Sequence, residues 1–237
     1  MNNNTILKFT FEEIVNSKQQ QQGWYEVLLR PIRAGKRIPT EDYLDSLTKD
    51  ELLEVDLYVF RSIQDIFLEN DFDRLSVNVM PSSLASPLFR REVMDLVLSN
   101  KIPPSKICIE IVEQPLICVS HEIIQFLNLL RERCALIALD DFGTGSAHWE
   151  LFQHGVIDVV KVANQKLLNT PKSLRYNYIQ ALFKFADSLN ITTILEGIEE
   201  QNNLLIGRAM GFKHFQGWLF NKNKVELPKL KNELAHA

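Results

Sequence analysis

A closed TIM-like (β/α)8 barrel, an α/β architecture, is what this sequence predicts, on three observations. Eight strand-like runs recur along its 237 residues, helical periodicity fills most of the gaps between them, and the runs are apolar nearly end to end. Strands alternating with helices pair in parallel, and strands apolar on both faces are covered on both faces. The runs lie near residues 6–15, 24–30, 74–80, 106–112, 136–141, 157–162, 192–196 and 213–218. The first connection, Lys18-Gln19-Gln20-Gln21-Gln22-Gly23, is too short for a crossover helix. It makes the first two runs a hairpin and predicts one antiparallel strand pair at the N-terminal end. After the second run, Leu44, Leu47, Leu52, Val55, Val59, Ile63, Ile66 and Phe67 recur at spacings near three and four behind Thr40, which predicts a helix over 41–69. Similar patterns predict helices over 83–99, 120–133, 173–189, 200–210 and 225–235. The length suits one barrel, so residues 1–237 are read as a single domain.

Composition narrows the function. With 46% hydrophobic and 24% charged residues the chain can bury a substantial core, and its net charge of −4 gives no general attraction for long nucleic acid. A small anionic ligand held through metals remains compatible with that charge. Cys108, Cys118 and Cys134 lack the paired spacing of a zinc site or redox motif and are read as plain thiols of a reducing cytoplasm. No leader pattern opens the sequence and no apolar run reaches the ~20 residues a bilayer span needs, so a soluble cytoplasmic protein with no membrane contact is expected. The glutamine run reads as a solvated loop tip.

Against this background seven polar residues stand out because they sit in or at the ends of apolar strands: Glu26, Asn78, Glu110, Asp140, Asp141, Lys161 and Glu196. In a barrel of this type such side chains converge at the carboxyl ends of the strands. Two like charges about 4 Å apart at an effective dielectric near 20 repel by about 4 kcal/mol, so convergent carboxylates call for divalent cations or protons between them. Oxygen donors without His or Cys partners suit magnesium, manganese or calcium. The histidines His121, His148, His154, His214 and His236 show no ligand spacing. Asp140-Asp141 reads as a bridging carboxylate with a neighbour for a second cation, or as a cap of the next helix. Lys161, between Val160 and Val162, reads as a neighbour of the acidic cluster that orients or deprotonates a nucleophile, or as the counter-ion of Asp158. Asp141-Phe142-Gly143 also occurs in protein kinases, but no phosphate-binding glycine loop or His-Arg-Asp segment accompanies it. Two cations flanked by a lysine suit in-line displacement at phosphorus, and the implied reaction is phosphodiester hydrolysis. An enolase-type barrel is a competing reading that Asn78 and the tandem aspartates fit poorly.

Taken in order, the segments resemble the EAL family of cyclic-di-GMP phosphodiesterases from about residue 7 to 222. Glu26-Val27-Leu28-Leu29-Arg30 stands at the naming Glu-Ala-Leu signature, Val77-Asn78-Val79 and Glu110-Ile111-Val112-Glu113 at two further strand motifs, and Asp140-Asp141-Phe142-Gly143-Thr144-Gly145 is intact. Asp158-Val159-Val160-Lys161, Glu196-Gly197-Ile198-Glu199 and Gln216-Gly217 complete the set. The resemblance implies that Glu26, Asn78, Glu110, Asp140, Asp141 and Glu196 hold two Mg2+ or Mn2+ ions, with Asp140 bridging. It implies that Lys161 and Gln216 position the attacking water, with Glu196 serving both metal and catalysis and Glu199 standing behind them. Glu113 would anchor the Asp-Asp-Phe-Gly-Thr-Gly loop, Arg30 would meet a substrate phosphate, and Leu28 and Glu12 would line the substrate site. The implied product is linear pGpG, and the implied assembly is a homodimer open to a regulatory protein partner.

Several positions depart from the family pattern. Glu12-Glu13 replaces Gln-Pro, Val112 replaces Thr, Ser146-Ala147-His148-Trp149 replaces Tyr-Ser-Ser-Leu, Ala163 replaces an aspartate, and Asn221-Lys222 replaces a small residue and proline. These leave an alternative open: a catalytically weak or inactive EAL domain that acts as a cyclic-di-GMP receptor or protein-interaction module. Trp149-Glu150-Leu151-Phe152 reads equally as a dimer helix or as part of the barrel's outer layer.

Overall fold

The computed structural model describes residues 5–18, 23–112, 119–144, 149–164, 171–221 and 235–236. In chain order the elements are β1 (Thr5–Asn16), β2 (Trp24–Arg33), the two-residue β3 (Lys36–Arg37), α1 (Thr40–Asp45), α2 (Lys49–Glu69), β4 (Arg74–Val79), α3 (Pro81–Ala85) and α4 (Pro87–Leu98). They continue as β5 (Ile107–Ile111), α5 (His121–Arg131), β6 (Leu136–Leu139), α6 (Trp149–Gln153), β7 (Val159–Ala163), α7 (Lys172–Ser188), β8 (Thr192–Glu196), α8 (Gln201–Met210), β9 (His214–Gln216), α9 (Trp218–Asn221) and the two-residue β10 (Ala235–His236).

Eight strands close a barrel in the order β1-β9-β8-β7-β6-β5-β4-β2, with β1 pairing back onto β2 and the short β3 and β10 lying outside the ring. The predicted (β/α)8 barrel is therefore present, and so is the predicted hairpin, paired from Thr5↔Arg33 to Glu13↔Tyr25. β1 is antiparallel to β9 as well, through Ile14↔Gln216, Val15↔Phe215 and Asn16↔His214. The reason is topological, since a reversed strand in a closed ring opposes both of its neighbours. The pairings from β2 through β4, β5, β6, β7 and β8 to β9 are all parallel.

Three expected helices differ in detail. The stretch 41–69 is broken into α1 and α2, because Thr48 starts a new helix with a full capping box: its side chain accepts from the Glu51 amide while Glu51 accepts from the Thr48 amide at 2.8 Å. The stretch 83–99 becomes α3 and α4, with Pro87 opening the second. The expected helix over 225–235 lies outside the described residues except for Ala235, which is in strand β10.

Strand alternation divides the core in two. Leu75, Val77 and Val79 of β4, with Ile107, Ile109 and Ile111 of β5, point outward against Phe60, Ile63, Phe89, Val93 and Leu127 of the helices. The barrel interior holds a second, smaller cluster of Ile14, Trp24, Cys108, Ala138, Val159 and Ile194. Trp24 is packed there with its indole N–H donating to Ser76 Oγ at 2.9 Å.

Candidate active site

Two residues further along each of these strands the chemistry changes. Trp24 is followed on the same inward face by Glu26, Ser76 by Asn78, Cys108 by Glu110, Ala138 by Asp140, Val159 by Lys161 and Ile194 by Glu196. The apolar layer is thus a floor, and the next layer, at the carboxyl ends of the parallel strands, is ionic. Lys161 lies at its centre and is 1% exposed. Its ammonium reaches Glu26 Oε2 at 2.9 Å, Glu110 Oε2 at 2.8 Å, Asp140 Oδ1 at 3.2 Å and Glu196 Oε1 at 2.9 Å. The reading of Lys161 as counter-ion to Asp158 is set aside, because Asp158 is held by Arg131 at 2.8 Å.

Neutral amides complete the layer. Asn78 Nδ2 donates to Glu26 Oε1 and Gln216 Nε2 to Glu26 Oε2, both at 2.6 Å. The main chain after Gln216 turns at Gly217, whose φ of +148° brings it so close to the Ile198 backbone that a Cβ would collide with it.

The electrostatics follow from three buried carboxyls, Glu26, Glu110 and Glu196, and the partly buried Asp140 sharing one lysine. Burial disfavours the charge on Glu26, but the Lys161 ammonium and the hydrogen bonds from Gln216, Lys161 and Asn78 outweigh it and hold this carboxyl below its ordinary range. Glu110 is pushed up to about 8 by burial and by Glu26 and Asp140, against the pull of Lys161. Burial raises Asp140 as well, and burial together with the charges of Asp140 and Glu26 takes Glu196 well above its ordinary value. Burial works against the Lys161 charge, but its four carboxylate neighbours raise it well above an ordinary lysine, so it stands as an ammonium ion. Four carboxyls around one lysine cannot all ionise together, and in the absence of further cations the raised ones hold on to their protons.

The donor set suits hard cations. Asp140, Asp141 and Glu196 each offer a carboxylate oxygen, and the three atoms lie within 4.8 Å of one another. Asn78 Oδ1, Glu110 Oε1 and Gln216 Oε1 are buried acceptors with no hydrogen-bond donor among the described residues. Asp141 adopts φ +52°, a left-handed conformation uncommon outside glycine though better tolerated by asparagine and aspartate than by other residues, which turns the chain sharply directly after Asp140.

A cavity of about 430 Å³ opens over this layer and is lined by Glu26, Leu28, Arg30, Asn78, Asp140 and Asp141 among others. Leu28 and Arg30 are thus on the wall of the cavity that opens over the ionic layer. Glu12 lies opposite Glu26 in the β1–β2 register and so shares its inward face. Glu199 is exposed on the loop after β8. Glu113, expected to anchor the loop, lies outside the described residues, as does the 146–148 part of the altered segment. Of the Trp149–Phe152 stretch, Leu151 is fully buried while Trp149 is 54% exposed.

Two residues near the site went unnoticed in the sequence. Asp56 of α2 lines the same cavity, is 6% exposed and accepts the Met80 amide at 3.0 Å, just beyond Asn78. Its signal was a lone acid inside the six-residue buried stretch Val55–Phe60, but one polar residue per turn is ordinary in a helix. Tyr178 of α7 donates to the Gly143 carbonyl at 2.6 Å, and a contact to a backbone atom leaves no mark in the sequence of the partner.

The fold and site define an α/β barrel with an acidic, lysine-centred layer at the carboxyl ends of its strands. Residues 2–223 match the EAL domain family, and the chain belongs to it. The cyclic di-GMP phosphodiesterase PdeA of Borreliella burgdorferi is 27% identical over 227 residues, 92% of this chain and 34% of that protein. The chain spans between a fifth and a third of the length of the first curated relatives it matches. Among solved structures, the PaMucR phosphodiesterase in complex with c-di-GMP has a TM-score of 0.78 at 19% identity, covering 91% of this chain and 96% of that one. Klebsiella pneumoniae BlrP1 in a manganese and c-di-GMP complex has a TM-score of 0.71 at 24% identity, covering 90% and 55%. These structural likenesses show the fold. No helix among the described residues is long and apolar enough to cross a membrane.

Proposed function

We propose that this chain hydrolyses cyclic-di-GMP to linear pGpG with the help of two divalent cations, Mg2+ or Mn2+. The observation that carries the reading is the ionic layer itself: carboxylates from separate strands gather around one ammonium, and acceptor oxygens are left unsatisfied beside them. Glu26, Asn78, Glu110, Asp140, Asp141 and Glu196 are the residues that would hold the cations. Bound there, the pair would activate water at neutral pH and neutralise charge developing on the phosphoryl oxygens.

The protein's own groups do the rest. Lys161, a fixed ammonium, gives a hydrogen-bonding cation at the centre of the layer and keeps Glu26, Glu110 and Glu196 in place. Gln216 and Asn78 lock the two oxygens of Glu26 in one rotamer. Arg30 presents a guanidinium at the cavity wall for a phosphate, and Leu28 gives that wall an apolar surface. The apolar floor beneath excludes water from below. A homodimer in the cytoplasm, open to a regulatory protein partner, belongs to the same proposal, with the half-exposed Trp149 as part of the contact.

Support comes from family membership and from a relative named as a cyclic di-GMP phosphodiesterase. The test is incubation of purified protein with cyclic-di-GMP and Mn2+ or Mg2+, with products separated by chromatography. Linear dinucleotide that disappears with a chelator is the expected result. Cyclic-di-GMP recovered intact at high protein concentration overturns hydrolysis, and intact ligand bound to the protein favours the receptor reading that Glu12 and Ala163 keep open.

A further inference from the structure

The segment after Asp140-Asp141 is gripped from one side by a single helix face. Phe142 is buried, donates its amide to the Lys161 carbonyl at 2.8 Å, and rests its ring on Phe185 at 5.9 Å and on Phe152 at 5.3 Å. Gly143, at φ +92°, fits so closely beneath α7 that a Cβ would come within 2.6 Å of Leu182 Cδ1. Its carbonyl accepts the Tyr178 hydroxyl at 2.6 Å. Tyr178, Leu182 and Phe185 are spaced i, i+4, i+7 and thus share one face of α7, from which each reaches residue 142 or 143, although Tyr178 stays 40% exposed. Thr144 closes the turn from the other end, its amide and hydroxyl both donating to the Asp141 carbonyl, at 3.1 and 2.9 Å.

We propose that Tyr178 is a positioning residue for Asp141: its hydroxyl, by holding the Gly143 carbonyl, fixes the turn that presents the Asp141 carboxylate to the second cation. The inference rests on the metal-site reading above and concerns a point that reading leaves open, namely what sets the geometry of the Asp140–Asp141 turn. Asp141 sits in a strained backbone conformation, and such a conformation persists only where its surroundings over-determine it. The packing of Phe142 fixes the chain one residue on, the Thr144 bonds fix the carbonyl of Asp141, and the phenol fixes the following peptide. The phenol is the polar side-chain tie from α7, and it is removable without touching the packing.

Tyr178→Phe deletes that tie and keeps the ring. The expected result is a thermal midpoint close to wild type, Mn2+ affinity at the weaker site reduced about five- to tenfold, the worth of one hydrogen bond, and kcat for cyclic-di-GMP restored by raising Mn2+. A merely structural tyrosine would lower the midpoint and would not respond to added metal. Leu182→Ala guards against a folding artefact, since it loosens the packing while sparing the hydroxyl and is expected to lower the midpoint more than Tyr178→Phe does. Wild-type Mn2+ affinity in Tyr178→Phe overturns this proposal alone, whereas absence of Mn2+ binding by the wild type, measured by calorimetry, overturns the metal site and the proposal with it.

Discussion

The apolar floor and the ionic layer above it are two residues apart on the same strands, yet they are held together by opposite means. Trp24, Cys108, Ala138, Val159 and Ile194 fill the barrel by packing, and deleting atoms there would leave a void. Glu26, Glu110, Asp140, Lys161 and Glu196 fill the same cylinder with charge, and buried charge is stabilising only when fully paired. With four carboxylates on one ammonium the pairing is incomplete, so this layer is strained without further cations and the floor is not. The difference separates stability from chemistry within one barrel, and variants can test whether the separation holds.

The largest effect is expected at Lys161. Lys161→Met leaves the carboxylates without their shared counter-ion, and breaking a buried pair by removing one partner typically destabilises by about 3–5 kcal/mol. Urea unfolding in a chelator reads this loss, which added Mn2+ should partly restore, while turnover should fall by about a thousandfold in either condition. Stability unchanged in the chelator would mean that the carboxylates are already protonated or splayed apart.

Asp56 comes next and sharpens the comparison through pH. Burial raises its carboxyl to about 7 from an ordinary 3.8, opposed only in part by hydrogen bonds including that of the Met80 amide. A folded-state value above the unfolded one means the folded protein binds the proton more tightly. Stability from this group is therefore complete below about pH 4 and is lost as pH rises through 7, by a total on the order of 4 kcal/mol. Glu110, raised to about 8, slopes the same way, whereas Glu26, held low, slopes oppositely. In saturating Mn2+ the slopes from the ionic layer should fade and that of Asp56 should remain. Asp56→Asn is expected to flatten the curve between pH 4 and 7, read by urea midpoints across the range. A variant curve parallel to wild type would show that Asp56 does not titrate there.

The smallest effect on chemistry is expected in the floor. Ile194→Ala should lower stability by about 2–5 kcal/mol through the cavity it leaves. The Mn2+-induced rise in thermal midpoint should nevertheless match wild type, because no cation ligand has moved. A lost Mn2+ response in Ile194→Ala would mean that the two layers are mechanically one.

Much of the barrel was legible because its strands are short apolar runs separated by helical periodicity, and the polar residues interrupting those runs marked the ionic layer directly. Glu110 between Ile109 and Ile111, and Lys161 between Val160 and Val162, are costly to bury without partners and so marked a shared polar site, although for Lys161 the nearby Asp158 offered a second partner that the sequence alone did not exclude. The antiparallel pairing of β1 with β9 leaves no local pattern, since the partners lie some 200 residues apart, and it follows only from the hairpin and the closure of the ring taken together. The break between α1 and α2 was written as Thr48-Lys49-Asp50-Glu51, but the apolar spacing continues through it and hid it. Asp56 was lost among ordinary helix polarity, and Tyr178 because its partner is a backbone carbonyl.

The most direct test of the central claim, that this layer is a two-cation site, is calorimetric titration of the metal-free protein with Mn2+, run beside thermal unfolding. Two Mn2+ ions per chain are predicted, with a stability gain of about 2.7 kcal/mol for each ion at a hundredfold excess over its Kd and loss of at least one ion in Asp140→Asn. No uptake in the millimolar range and an unshifted unfolding temperature would contradict it.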